Sequence, residues 1–174
     1  MNKNYKFSYA TITDINRINT LVNSAYRGDS SRQGWTTEAD LLDGSRITPE
    51  LVHDIILSSD TYLLLYEVQG QLLGCVELRK EGTRLYLGML TVEPKQQGKG
   101  IGKVLLKEAN RIAVQLGCRS IYMSVISRRN ELIDWYKRNG FHETGIRKPF
   151  QMPDERWGIP KMKLEFIYME MLLG

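Results

Sequence analysis

The chain has 174 residues, 42% of them hydrophobic, and a formal charge of +4 from 24 basic and 20 acidic residues. That length buries one core and leaves too little for two comfortable domains, so a single domain over residues 1–174 is expected. No run of about 18 apolar residues occurs and the start "MNKNYKFSYATITD" lacks a leader-like apolar segment, which points away from a membrane span or export and toward the cytoplasm.

Taken in chain order, "YKFSYATI" reads as a first strand, and "TDINRINTLVNSAY" places Ile15, Ile18, Leu21, Val22 and Ala25 on one helical face. The polar stretch Arg27 to Arg46 carries three glycines and reads as loop with one short helical turn at Glu38 to Leu42. "TPELVHDIILS" is a helix capped by Thr48 with Pro49 in its first position. "TYLLLYEVQGQLLGCVELR" is a strand pair turning at Gln69-Gly70. "RLYLGMLTVE" is apolar on both faces, as a central strand should be, and Gly88 inside it signals a bulge or a close backbone neighbour. A helix follows on Ile101, Val104, Leu105, Ile112, Ala113 and Leu116, ending near Gly117. "SIYMSVI" is a strand and "NELIDWYKRNGF" a short helix stopped by Gly140. "FHETGI" and "KLEFIYMEMLL" supply two more strands. The sum is a mixed α/β layer structure without internal repeats. Cys75 and Cys118 sit in apolar sequence with no C-x-x-C or histidine-rich surroundings, so neither a disulfide framework nor a zinc site is expected.

The helix beginning near residue 100 lacks an ordinary cap. Gln97, Gly98 and Lys99 stand where Ser, Thr, Asp or Asn would satisfy free backbone N-H groups. Left open, those donors and the helix dipole make an anion site, and Gly98, Gly100 and Gly102 let backbone approach a phosphate while Lys99 and Lys103 add countercharge. The spacing fits neither G-x-x-x-x-G-K-[ST] nor G-x-G-x-x-G, because Lys103 or Leu105 falls where those patterns need glycine or the lysine-serine pair.

The stretch "QGKGIG", Gln97 to Gly102, preceded by "LTVEP" and followed by "KVLLKEA", resembles the Q/R-x-x-G-x-G/A signature of the GNAT superfamily of N-acetyltransferases. The resemblance extends through "NELIDWYKRNGF". It implies a mixed, mostly antiparallel central sheet of about seven strands flanked by about four helices, with acetyl-CoA as cosubstrate and no metal. It also implies that the backbone of Leu90, Thr91 and Val92 pairs with the pantetheine arm. Gln97, Gly98, Lys99, Gly100, Ile101, Gly102 and Lys103 would hold the pyrophosphate, and Gly88 would sit at the bulge that splays the central strands. Tyr136, four residues before Gly140, matches the family tyrosine that protonates the departing thiolate. Asn130 is one position off the family's coenzyme-contacting asparagine, whose place Arg129 takes, so Asn130 either contacts the coenzyme or caps its helix.

An amine of pKa ~10.4 is neutral in only about one molecule in a thousand at physiological pH, so a base or a desolvating pocket must offset roughly 4 kcal/mol. The glutamate that some relatives carry on the glycine-motif strand is replaced by Tyr86, which leaves Glu77 on the preceding strand as candidate base, or else an Arg79 ion pair. Trp35 with Glu38, Asp40 and Asp43 forms an aromatic and acidic wall for a cationic acceptor, or else packs and caps within the fold. The expected activity is transfer of acetyl to a primary amine of a small molecule or peptide, in a ternary complex. The alternative is a coenzyme-binding sensor without turnover. A nucleic-acid partner is disfavoured because no aromatic-basic surface pattern accompanies the lysines, and a homodimer is left open.

Overall fold

The computed structural model describes residues 4–174. In chain order the elements are β1 (Tyr5–Tyr9), α1 (Ile15–Tyr26), α2 (Gly28–Ser31), β2 (Leu42–Asp43), α3 (Pro49–Leu57), β3 (Thr61–Val68) and β4 (Gln71–Glu81). They continue with β5 (Arg84–Val92), α4 (Ile101–Gln115), β6 (Ser120–Ile126), α5 (Asn130–Arg138), β7 (His142–Pro149), β8 (Ile159–Pro160) and β9 (Glu165–Leu172). Seven strands make one sheet in the order β1-β3-β4-β5-β6-β9-β7, in which only β5 and β6 run parallel. This is the mixed, mostly antiparallel sheet expected.

Strand alternation builds the layers. Leu64, Tyr66, Val76 and Leu78 face one core with Leu105, Ala109 and Ile112 of α4. Their sequence neighbours Leu63, Leu65 and Cys75 face the other, with Ile18 and Val22 of α1 and Val52 of α3. Cys75 and Cys118 are free and buried, and burial pushes the Cys75 thiol up to about 12. Thr48 accepts from Leu51 N at 3.3 Å to start α3, and Gln69 and Gly70 carry φ of 51° and 79°, the paired left-handed residues a two-residue hairpin uses.

The sheet opens at its centre. β5 and β6 pair only from Arg84↔Ser120 to Tyr86↔Tyr122 and then diverge. On the other side of β5, the register with β4 slips between Cys75 and Glu77, so β5 holds one extra residue there, with Met89 at φ 49°. The bulge thus falls at Met89-Leu90, immediately after Gly88. Gly88 itself answers a close approach, since a Cβ would meet the Tyr86 ring at 2.8 Å and Glu77 Oε2 at 3.3 Å.

The polar stretch 27–46 closes one helical turn through Leu42 N to Glu38 O, 3.0 Å, and adds the short helix α2 that its composition did not signal. β2 pairs with β8 (Leu42↔Pro160, Asp43↔Ile159), and Lys161 Nζ donates to Ala39 O at 2.8 Å. These bonds tie two loops distant in sequence together beside the opened strands. No helix among the described residues is long and apolar enough to cross a membrane.

Candidate active site

The residue ahead of α4, Gly100, is left-handed (φ 88°), and no side chain caps the helix. Gly98 is left-handed as well (φ 79°), and neither glycine has a heavy atom within 4 Å of where a Cβ would stand. The first intrahelical bond runs from Val104 N to Gly100 O at 3.2 Å, so the N-H groups of Ile101, Gly102 and Lys103 lack carbonyl partners inside the helix. Those three residues, with Gly98 and Gly100, line a cleft of about 530 Å³. Gly102 serves packing, because a Cβ there would lie 3.1 Å from Trp135 Cζ2 on the opposite wall. Lys99 is outside the lining and donates to Gln96 Oε1 at 3.0 Å.

The cleft runs along the unpaired edge of β5. Glu93 N donates to Leu73 O of the β4 side, so by strand alternation Thr91 and Glu93 face β4 while Leu90 and Val92 face the opening. Leu90 and Val92 accordingly line the cleft, and Thr91, 1% exposed, turns its hydroxyl to Met89 O at 2.9 Å. Gln97 is a brace. Its Oε1 accepts from Trp35 N at 2.8 Å, and its Nε2 donates to Thr36 Oγ1 at 2.8 Å and to Val92 O at 3.1 Å. The loop at 35–36 is thereby pinned beside the glycine turn, with Trp35 against Trp135 at 6.1 Å between ring centroids.

A second cavity, about 100 Å³, continues from the cleft between the diverging strands. Tyr26, Leu90, Arg129, Leu132 and Tyr136 line both, and so mark their junction. Tyr26 donates its hydroxyl to Leu90 O. The Tyr136 phenol is held well above its ordinary range, chiefly by burial, against a pull downward from Arg129. Arg129, the residue ahead of α5, donates to Glu38 Oε1 at 2.9 Å and to Thr36 O at 2.5 Å, and lies 5.6 Å from the Tyr26 ring centre.

The wall expected from Trp35, Glu38, Asp40 and Asp43 is not assembled. Trp35 stands in the larger cleft. Glu38 is buried in the smaller one, but Arg27 takes its Oε2 and Arg129 its Oε1. Burial alone would raise the Glu38 carboxyl, yet Arg129, Arg27 and Arg46 together hold it below its ordinary range. Asp40 pairs with Arg32 at 2.7 Å and Asp43 with Lys161 at 3.3 Å. Asn130 is exposed, is the first residue inside α5, and lines neither cavity. His53 and His142 are exposed.

Glu77 sits on β4 directly across from Gly88, which lines the smaller cavity. Its carboxyl is raised by burial, opposed by Arg79 and then Arg46, with Arg79 Nη1 3.4 Å from Oε1. Sequence reasoning missed Tyr26, Arg27 and Arg46, which flank the polar stretch at its two ends. Tyr26 continues the apolar face of α1, a usable signal. A lone arginine at a loop border carries none.

The sequence profile of the acetyltransferase (GNAT) family matches residues 20–141. A thialysine N-epsilon-acetyltransferase from Bos taurus is 30% identical over 60 residues, 34% of this chain and 35% of that one, so the chain spans about a third of that relative. The crystal structure of the ribosomal-protein-S18-alanine N-acetyltransferase from Escherichia coli superposes with a TM-score of 0.74 at 13% identity, over 98% of this chain and 94% of that one. The PaiA N-acetyltransferase of Thermoplasma acidophilum, solved in complex with coenzyme A, gives 0.69 at 19% identity, over 97% and 98%. At these identities the superpositions establish the fold. The profile match covers well over half the chain, and with the uncapped glycine turn and the opened sheet it leads to one conclusion: the chain belongs to the acetyltransferase (GNAT) family.

Proposed function

We propose that the protein transfers acetyl from acetyl-CoA to a primary amine by direct attack in a ternary complex. The observation that carries this reading is the meeting of two cavities at Leu90 and Tyr136, one floored by free helix N-H groups and the other closed by side chains distant in sequence. The residues present fit the coenzyme. Backbone donors from Gly98 to Lys103 would hold its pyrophosphate, with Lys103 as countercharge, and the outward backbone groups of Leu90 and Val92 would pair with the pantetheine arm. The coenzyme supplies an acetyl thioester.

In the transfer, a bond forms from the amine nitrogen to the acetyl carbon, the carbon-sulfur bond breaks, one amine proton passes to a base, and the departing thiolate, hydrogen-bonded by Tyr136, takes its proton from solvent as it leaves. Tyr136 keeps its phenolic proton throughout the neutral range because burial holds it there. Complete transfer to a thiolate of ordinary pKa ~8.5 is uphill, so the phenol contributes chiefly a hydrogen bond that strengthens as charge develops on sulfur. Glu77, packed against Gly88 behind the lining of the smaller cavity, serves as base by taking the proton past Gly88, and its raised carboxyl is better matched to an ammonium than an exposed glutamate is. Gln97 and Thr91 serve by bracing the cleft. Mixing purified protein with acetyl-CoA and a panel of amines, while following free thiol, tests the reading. Amine-dependent thiol release is expected; a coenzyme-induced rise in melting temperature with no amine accelerating release would replace the enzyme with a sensor.

A further inference from the structure

The smaller cavity is electrically unbalanced. Arg27, Arg46 and Arg129 line it, and Glu38 is its single carboxylate. Both Glu38 oxygens are already taken by Arg27 and Arg129. Arg46 is left over. Its Nη1 is buried without a hydrogen-bond partner, and among the described residues it joins no ion pair. Its guanidinium is held in place by aromatic faces, 5.5 Å from the Tyr26 ring centre and 5.8 Å from that of Trp157, while its backbone N donates to Asn23 Oδ1 at 2.7 Å. Arg27 Nε is buried and unpartnered as well. Glu77, whose carboxyl feels the Arg46 charge, makes its ion pair with Arg79.

A buried donor without an acceptor is costly, the more so when charged, and a planar guanidinium is matched by a carboxylate that accepts two parallel bonds. Resting on the acetyl-transfer reading, we propose that Arg46 recognises a carboxylate on the acceptor, so that the amine acetylated is that of a small amino acid. The volume of about 100 Å³ suits a carboxylate and a few carbons rather than a peptide tail. With the acid group at Arg46, the amine is directed back toward the junction at Leu90 and Tyr136. A polyamine or plain alkylamine would bring a second positive charge, or none, to a wall that already carries excess cation.

The test uses matched sets: each of a range of amino acids, its neutral amide and its decarboxylated amine, assayed for thiol release with acetyl-CoA. At least one acid is expected to exceed both of its partners tenfold or more in kcat/KM. In Arg46→Met that preference should collapse toward unity, chiefly through KM for the acid, with coenzyme affinity intact, and Arg46→Lys should restore part of it. Calorimetry of the same acids and amines into the coenzyme-saturated wild-type protein gives a second measure independent of turnover and of variant folding. Equal use and equal binding of acid, amide and amine would overturn the proposal while leaving acetyl transfer standing. So would an Arg46→Met loss shared equally by all three. Absence of thiol release together with absence of coenzyme binding would instead remove the reading on which the proposal rests.

Discussion

In the proposed transfer Tyr136 steadies the developing thiolate with a hydrogen bond and Glu77 takes the amine proton, and each role makes a separate expectation. Tyr136→Phe removes the donor at sulfur but keeps the ring packed against Trp135 and Phe141, so kcat should fall on the order of 100-fold while the coenzyme Kd, read by calorimetry, changes little. Unchanged kcat would take Tyr136 out of the chemistry. A base works as its anion, and burial lifts the Glu77 carboxyl above its ordinary 4.5. The kcat/KM profile should therefore fall as pH drops through that raised value, and Glu77→Gln should lose the limb along with most of the rate. An identical limb in the variant would assign it to another group. The place of Tyr136 on the buried face of α5 was legible from the helical period, while the role proposed for it came from the family resemblance alone. Arg46 was not, since its environment is made by Tyr26 from α1 and Trp157 from a loop more than a hundred residues away.

At the level of elements, the start of α4 carries the most consequence. Gly100 is left-handed, where a side chain costs roughly 1–2 kcal/mol and a β-branched one more, and where any rearrangement re-aims the N-H groups that face the cleft. Gly100→Val should leave a folded protein, by circular dichroism, that no longer binds coenzyme A; retained affinity would mean the turn does not hold the pyrophosphate. The helices and long strands were readable from their periods of 3.6 and 2 and from cap and turn residues such as Thr48 and Gln69-Gly70. The two-residue strands β2 and β8 were not, because so short a segment has no period and its partner is chosen by the whole fold. Gly88 signalled a bulge or a close backbone neighbour, and the resemblance favoured the bulge; the bulge lies one residue on, at Met89-Leu90, while the close neighbours of Gly88 are side chains, the Tyr86 ring and Glu77.

Across the whole molecule, the buried bridge Arg27-Glu38-Arg129 fastens the 27–46 stretch to the start of α5, and β2 with β8 fastens it to the segment before β9. Removing one member of a buried ionic cluster strands the others. Glu38→Ala should cost about 3–5 kcal/mol, a fall in Tm on the order of 10 °C by calorimetric scan. A change under 2 °C would show the bridge to be dispensable. Because the Glu38 carboxyl is depressed in the folded state, its contribution is present above its ordinary 4.5 and is lost as pH falls through the lower folded value, so wild type and variant should converge in stability in strong acid. The same bridge sets Arg129 at the junction of the two cavities, so the frame and the site are one construction. Acetyl transfer by this protein requires the glycine turn to hold a coenzyme whose sulfur reaches that junction. The most direct measurement of that hold is titration calorimetry of coenzyme A into the wild-type protein and Gly100→Val side by side: saturable one-to-one binding in the first and none in the second is expected, and equal heats in both, or no heat in the wild type at millimolar coenzyme, would contradict it.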